Sequence, residues 1–112
     1  MKLDDDNKFR EVEALWEAGY SIDRAIHFRE DKNFHFYSND CIKEFLDEIG
    51  EYKDEEYELN LIDLAKYLIL NYKIFGEINY ELEKYIDFEK FADNPVFRAR
   101  CTKVTKGFIY FD

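Results

Sequence analysis

The chain has 112 residues, of which 46% are hydrophobic and 19% aromatic, a composition that supports a small domain with its own core and excludes wholesale disorder. Its 26 acidic and 16 basic residues give a formal net charge of −10. This charge disfavours nucleic-acid binding over the main surface and favours partners with basic surfaces. The simplest alternative is that the acidity only keeps a small protein soluble.

The first third of the chain is predicted to contain two helices and a strand. Residues 1–7 are expected to be frayed, and a helix over 8–18 is expected to end at Gly19. Ser21 is a suitable N-cap for the second helix, and the apolar run at 34–37 indicates a short strand. The helix positions expected to face the core are Phe9, Val12, Leu15, Trp16, Ile22, Ala25 and Ile26.

A third helix is predicted over 40–51, and it leads into a dense acidic stretch. Eight of the fifteen residues from 44 to 58 are acidic, and the acids up to Glu51 recur with the period of one helix face. If the stretch were helical throughout, it would present one net charge per roughly 3 Å, against about 3.4 Å between the phosphates of one DNA strand. Gly50 argues against an unbroken helix. In most proteins such a run is simply a solvated face.

The middle of the second half is predicted to be helical. After a short strand at 57–61, a nearly all-apolar helix over 62–74 is expected to be the buried central helix and to end at Gly76. Two short helical segments follow at 79–85 and 86–92. Their expected inward residues are Tyr80, Leu82, Tyr85, Ile86, Phe88 and Phe91.

The C-terminal segment differs from the rest in charge and in predicted structure. Residues 1–93 carry a net charge of −13, whereas residues 94–112 carry +3. Asn94-Pro95 breaks the helical pattern, and 96–111 is predicted to be a β-hairpin with Gly107 at its turn. The basic side chains of this hairpin are Arg98, Arg100, Lys103 and Lys106. Arg98 and Arg100 would share a strand face and pair with acids or dock on an acidic patch.

These elements predict an α+β fold in which helices pack on a small antiparallel sheet that contains a C-terminal β-hairpin. Residues 1–56 form a helical N-terminal half and residues 57–112 an α+β half, together expected to be one compact unit. Cys41 and Cys101 are expected to be reduced apolar fillers in a cytoplasmic protein. No signal peptide or membrane span is predicted.

The sequence favours a protein that is not an enzyme. It contains no glycine-rich phosphate loop, no nucleophile motif and no metalloprotease motif, so we expect no catalytic residues and no cofactor. His27 and His35 have no ligand at a suitable spacing, so no metal site is expected. A small hydrolase that uses a pair of carboxylates ranks last among the readings.

Residues 66–78 (KYLILNYKIFGEI) and 80–94 (YELEKYIDFEKFADN) resemble the C-terminal part of the ArdA-type antirestriction proteins. The resemblance covers residues 57–112 and, more weakly, 9–45, and it does not extend to the family's additional N-terminal domain. The family's arginine after this segment has no counterpart here. The positions that carry the resemblance are Tyr67, Gly76, Glu77, Ile78, Leu82, Tyr85, Ile86, Asp87, Phe88, Phe91 and Asp93.

The resemblance implies an acidic surface that imitates B-form DNA and blocks a restriction–modification enzyme. Members are often dimers joined through the C-terminal region, so a homodimer of that kind is an expectation here. The function expected is therefore inhibition of a DNA-binding defence protein, either a restriction–modification complex or a CRISPR effector. The alternative is an acidic adaptor for a basic surface unrelated to DNA. The candidate partner-binding acids are Glu44, Asp47, Glu48, Glu51, Asp54, Glu55, Glu58, Glu77, Glu81, Glu83, Asp87, Glu89 and Asp93.

Overall fold

A computed structural model describes residues 2–31 and 33–111 of the chain, with the side chains of 9–31, 33–79 and 81–111. The fold is α+β, with helices packed on a small antiparallel sheet that contains a C-terminal hairpin, as predicted. By compactness the chain divides into unit 1, residues 1–38 and 100–112, and unit 2, residues 39–99. This division differs from a split near residue 56, because the first and last segments of the chain belong to the same unit.

Unit 1 is built on a three-stranded sheet. Strands β1 (Phe34–Ser38), β2 (Cys101–Val104) and β3 (Gly107–Phe111) lie in the order β1-β3-β2, and β3 is antiparallel to both neighbours. Helices α1 (Lys2–Glu17) and α2 (Ile22–Arg29) pack together, and α1 contacts β3. The buried residues of this core are Ala14, Leu15, Ala25, Phe34, Val104 and Ile109.

The connection between α1 and α2 follows the predicted local signals. The amide of Tyr20 donates to the carbonyl of Leu15, which closes a Schellman motif around Gly19. Gly19 has φ 107°, a conformation that glycine adopts without the penalty of a Cβ atom. The hydroxyl of Ser21 accepts a hydrogen bond from the amide of Arg24, so Ser21 is the N-cap of α2 as predicted.

Several predictions for these two helices are wrong. Helix α1 already begins at Lys2, so the fraying expected over 1–7 is not observed for residues 2–7. Leu15 and Ala25 are fully buried as expected. The predicted core residues that are instead exposed are Phe9, Trp16, Ile22 and Ile26. The helices carry more apolar positions than one small sheet can cover, so part of each apolar face stays in solvent.

The segment after residue 94 is a helix, α7 (Pro95–Arg100), and the observed hairpin is the shorter pair β2–β3. The Asn94 side chain accepts a hydrogen bond from the amide of Val96 at 2.9 Å and so caps the helix. Proline is favoured at the first helical position, since its missing N–H would have no partner there. Arg98 and Arg100 therefore lie roughly 200° apart around a helix, and the shared strand face predicted for them is wrong.

Unit 2 consists of helices and loops. A central helical segment is formed by α4 (Leu61–Lys66) and a π-helical turn (Tyr67–Tyr72), close to the helix predicted over 62–74. Helix α3 (Asn39–Glu48) packs on the π-helical turn, and α6 (Phe88–Ala92) packs on α4. The short α5 (Tyr80–Glu83) precedes α6 in the chain. In the part of the chain that the structure describes, no helix is long and apolar enough to cross a bilayer.

Two predicted boundaries in unit 2 are wrong. Residues 57–60 form no strand, because Asn60 is already the N-cap of α4. The central segment ends before Lys73, which adopts the left-handed conformation with φ 62°, and not at Gly76. Gly76 lies in the following turn, where its amide donates to the carbonyl of Lys73.

Two of the residues expected to face inward from the short helical segments are solvent-exposed. Leu82 is 60% exposed and Tyr85 is 76% exposed, so neither is core. Ile86, Phe88 and Phe91 are partly buried. The side chain of Tyr80 lies outside the described residues. Leu82 lies in a four-residue helix, which cannot bury a complete face, and Tyr85 lies in the turn after that helix.

Both cysteines are thiols, and no disulfide joins them. Cys41 is exposed, so its predicted role as an apolar filler is wrong. Cys101 is partly buried, and burial raises the pKa of its thiol to about 12. The thiol of Cys101 therefore stays protonated, and weakly nucleophilic, at neutral pH.

Candidate protein-interaction surface

The fold concentrates the negative charge in unit 2. Unit 2 holds 16 acidic and 7 basic residues, a net charge of −9, whereas unit 1 holds 10 acidic and 9 basic residues, a net charge of −1. All 13 predicted partner-binding acids belong to unit 2. Of these acids only Glu83 is partly buried, and the other 12 are exposed. Nearly the whole candidate set is therefore accessible to a partner.

Helix α3 displays three acids on one face. Glu44, Asp47 and Glu48 have the i, i+3, i+4 spacing that places side chains together, and all three are exposed. Ile42, Phe45 and Leu46 are buried on another face of the same helix. In the described part of the chain, no ion pair or side-chain hydrogen bond neutralises these three acids.

Glu51 does not extend this helical face, which corrects the predicted i+7 position. Helix α3 ends at Glu48, and Gly50 adopts φ 81° immediately after it. The amide of Glu51 donates to the carbonyl of Leu46 at 2.7 Å, and that of Gly50 donates to Asp47 at 3.1 Å. This Schellman motif turns the chain out of the helix, so the acids of 44–58 do not form one straight row.

The loop over residues 51–60 is held against the helices of unit 2. Nζ of Lys66 lies 2.5 Å from Oε1 of Glu51, and Nζ of Lys43 donates to the carbonyl of Glu55 at 2.7 Å. Leu59 anchors the end of the loop, since only 2% of it is exposed. Three further candidate acids of the loop, Asp54, Glu55 and Glu58, are all exposed. These anchors restrict where the loop carboxylates can lie, which lowers the entropy lost on binding.

A buried aspartate secures the junction between this loop and α4. The Asn60 side chain accepts from the amide of Asp63, and the Asp63 carboxylate accepts from the amide of Asn60 at 3.0 Å, which completes a capping box. Burial raises the pKa of Tyr57, and the negative charge of the nearby Asp63 carboxylate raises it further. Asp63 therefore accepts a backbone hydrogen bond in a site where it is 4% exposed.

The variant Asp63→Ala is expected to lower the free energy of unfolding by about 2 kcal/mol, because the Asn60 amide loses its acceptor and the capping box is broken. Urea denaturation followed by far-UV circular dichroism measures this loss. Asp47→Ala is the matched control on an exposed helix face, where we expect no loss and a gain of up to about 1 kcal/mol, because a carboxylate is removed from the helix C-terminus. Equal effects of the two variants would contradict the role assigned to Asp63.

The second acidic cluster surrounds α5 and α6. Its six members are Glu77, Glu81, Glu83, Asp87, Glu89 and Asp93. Asn79 accepts a hydrogen bond from the amide of Glu81 and caps α5, and Asp87 accepts one from the amide of Lys90 and caps α6. Glu77 is paired with Lys73 at 2.5 Å, but both partners are largely exposed, so this pair contributes little stability.

The two clusters are anchored on one central segment, since α3 packs on the π-helical turn and α6 packs on α4. Sequence reasoning missed the exposed apolar residues beside the second cluster, because the same apolar pattern is usual for a core. These residues are Phe75, Leu82 and Tyr85. Among the described residues, no group of three or more His, Cys, Asp or Glu side chains is arranged to hold a metal ion.

Comparison with known proteins finds no matching protein-family profile, no matching curated protein and no matching solved structure.

Proposed function

We propose that the chain inhibits a DNA-binding defence nuclease by occupying its DNA site with the acidic surface of unit 2. The observation that carries the proposal is the net charge of −9 on unit 2, with 12 of its 13 candidate acids exposed. The DNA-binding site of a nuclease is lined with basic groups. A protein that presents fixed carboxylates competes with the DNA phosphates for these groups.

The placement of the α3 acids supports a role beyond solubility. Asp47 and Glu48 lie in the last turn of the helix, which contains no basic residue. Carboxylates at a helix C-terminus face the negative end of the helix dipole and cost about 0.3–1 kcal/mol each. Acids that only raise solubility could lie at positions without this cost. A binding role explains why they lie here.

The target class follows from the same proposal. A type I restriction–modification complex is the target that the ArdA-type resemblance implies, and antirestriction is then the activity. A CRISPR effector is an equally suitable target, which would make the chain an anti-CRISPR protein, because imitation of charge is not tied to one enzyme. The chain itself then binds neither nucleic acid nor membrane, since both surfaces are anionic.

The test is competition with DNA on purified nucleases of both classes. We expect duplex DNA to displace the chain, and we expect the logarithm of the affinity to fall linearly and steeply with the logarithm of the salt concentration. Electrophoretic mobility shift and fluorescence anisotropy measure the two effects. A stable ternary complex of nuclease, DNA and this chain would contradict the proposal and would identify the chain as an acidic adaptor.

A further inference from the structure

Unit 2 contains an open apolar groove of about 540 Å³ between the π-helical turn, α5 and α6. Its apolar lining consists of Ile69, Phe75, Ile78, Leu82, Ile86 and Phe91. Ile69 is 2% exposed and forms the floor, whereas Phe75 and Leu82 are 64% and 60% exposed at the walls. Phe75 packs edge-on against Phe91 with ring centroids 5.5 Å apart, so this wall is held in place by aromatic packing.

The segment that forms most of the groove is acidic, and its acids are here called the acidic rim. Asp87 is part of the lining, Glu77 directly precedes Ile78 in the chain, and Glu81 and Glu83 flank Leu82. Residues 77–93 carry six acids against Lys84 and Lys90, a net charge of −4. Lys90 also lines the groove, so the lining itself holds one acid and one base, and the excess of negative charge lies beside it in the chain. An occupant must therefore bring apolar side chains to the centre and positive charge to the edges.

The secondary structure around the groove selects a helix as the occupant. Residues 39–99 contain no strand, so the groove offers no sheet edge to which an extended peptide could add. A groove lined by apolar side chains is filled by the apolar side chains of its partner. An amphipathic helix provides these from its i, i+3, i+4 and i+7 positions. An anionic membrane surface and nucleic acid are both repelled by the rim.

We infer that this groove binds a basic amphipathic helix of a partner protein, with large aliphatic side chains of that helix seated between Phe75 and Leu82 and its lysine or arginine side chains on the acidic rim. The interaction differs from the proposed occupation of a DNA site, since it needs an apolar anchor that DNA does not offer. It also accounts for the exposure of two large apolar side chains beside an acidic cluster.

The probe is a fluorescein-labelled helical peptide of about four turns, with leucine along one face and lysine on the others. Two matched peptides separate the contributions: one replaces the leucines by serine and keeps the charge, and the other replaces the lysines by glutamate and keeps the leucines. Fluorescence anisotropy at about 0.15 M salt measures the dissociation constants. We expect only the first peptide to bind tightly, at least about tenfold better than either control.

Two variants of the chain complete the test. Leu82→Ser is expected to weaken binding of the first peptide about tenfold, because the leucine side chain that contacts it is lost. Val96→Ser is the matched control, since Val96 is also 60% exposed in unit 2 but does not line the groove. Both residues are solvent-exposed, so both variants should fold.

Equal binding of the leucine and serine peptides would overturn the inference, because charge alone would explain the affinity. Tight binding of the leucine–glutamate peptide, or equal effects of the two variants, would also overturn it. The assay contains no nuclease, so it can succeed where the proposed function fails. Conversely, Leu82→Ser should retain competition with DNA if only the proposed function is correct.

Discussion

Under the proposed function, reversing Glu44 and Glu48 to lysine is expected to weaken the inhibition of a DNA-binding defence nuclease by at least about a hundredfold. The double variant changes the net charge from −10 to −6 and places two positive groups on the exposed face of α3, where they would meet the basic DNA site of the target. The measurement is the concentration of the chain that halves cleavage of a DNA substrate. The same variant should retain its stability or gain up to about 1 kcal/mol, because lysine near a helix C-terminus interacts favourably with the helix dipole.

The matched control is the double variant Asp23→Lys/Glu30→Lys. It makes the same change in net charge, but both residues are exposed in unit 1, which carries a net charge of only −1. Inhibition by the control should stay within about threefold of that by the unaltered chain. If both double variants lose inhibition equally, overall charge and not the α3 face would govern binding, and the assignment of Glu44 and Glu48 would be wrong.

Gly107→Ala is expected to be the most destabilising single substitution considered, with a loss of about 3 kcal/mol or more in the free energy of unfolding. Gly107 pairs with Ser38 across β1 and β3, and a Cβ atom added to it would lie 2.1 Å from the carbonyl oxygen of Tyr37. The obstructing atoms belong to the backbone of β1, so they cannot move without breaking the pairing of β1 with β3. Urea denaturation and amide hydrogen exchange of β1 measure the effect.

Gly50→Ala separates this close approach from the general effect of losing a glycine. A Cβ atom at Gly50 would meet nothing within 4 Å, but its φ of 81° disfavours alanine. We expect a loss of about 1 kcal/mol for this control. If Gly107→Ala were no worse than Gly50→Ala, the close contact between β3 and the backbone of β1 would be refuted.

The sequence predicts the parts of the fold that depend on local chemistry. Gly19 and Ser21 mark the end of one helix and the start of the next through hydrogen bonds that involve only neighbouring residues. The strand at 34–37 follows from a short run of aromatic residues between turns, and the structure confirms it as β1. The α+β class follows from the order of these elements.

The wrong predictions depend on contacts that a periodic pattern does not contain. Phe9 and Trp16 have the spacing of a buried helix face, but whether they are covered depends on how much surface the sheet offers. At 95–100 the β-branched and aromatic composition favours a strand, yet the Asn94 cap and the proline after it start a helix. The helix cap is formed by specific hydrogen bonds, so it outweighs the weak β-strand propensity of this segment.

For the candidate surface, composition identifies the acids but not their grouping. The contrast between −9 and −1 is sharpened because the segment from Arg100 onward, with a net charge of +2, belongs to the same unit as residues 1–38. Its basic residues include Lys106, which lies 3.4 Å from Glu13. Long-range strand pairing assigns these cations to unit 1, and no local pattern in the sequence encodes that pairing.

The strand order β1-β3-β2 also determines when the sheet can form during synthesis of the chain. The central strand leaves the ribosome long after β1, and all of unit 2 is translated between them. Unit 2 is one uninterrupted stretch of chain, so it can fold while β1 still has no strand to pair with. Only when residues 107–111 emerge can β1 pair with β3, so the synthesis of these five residues is the step that completes the sheet.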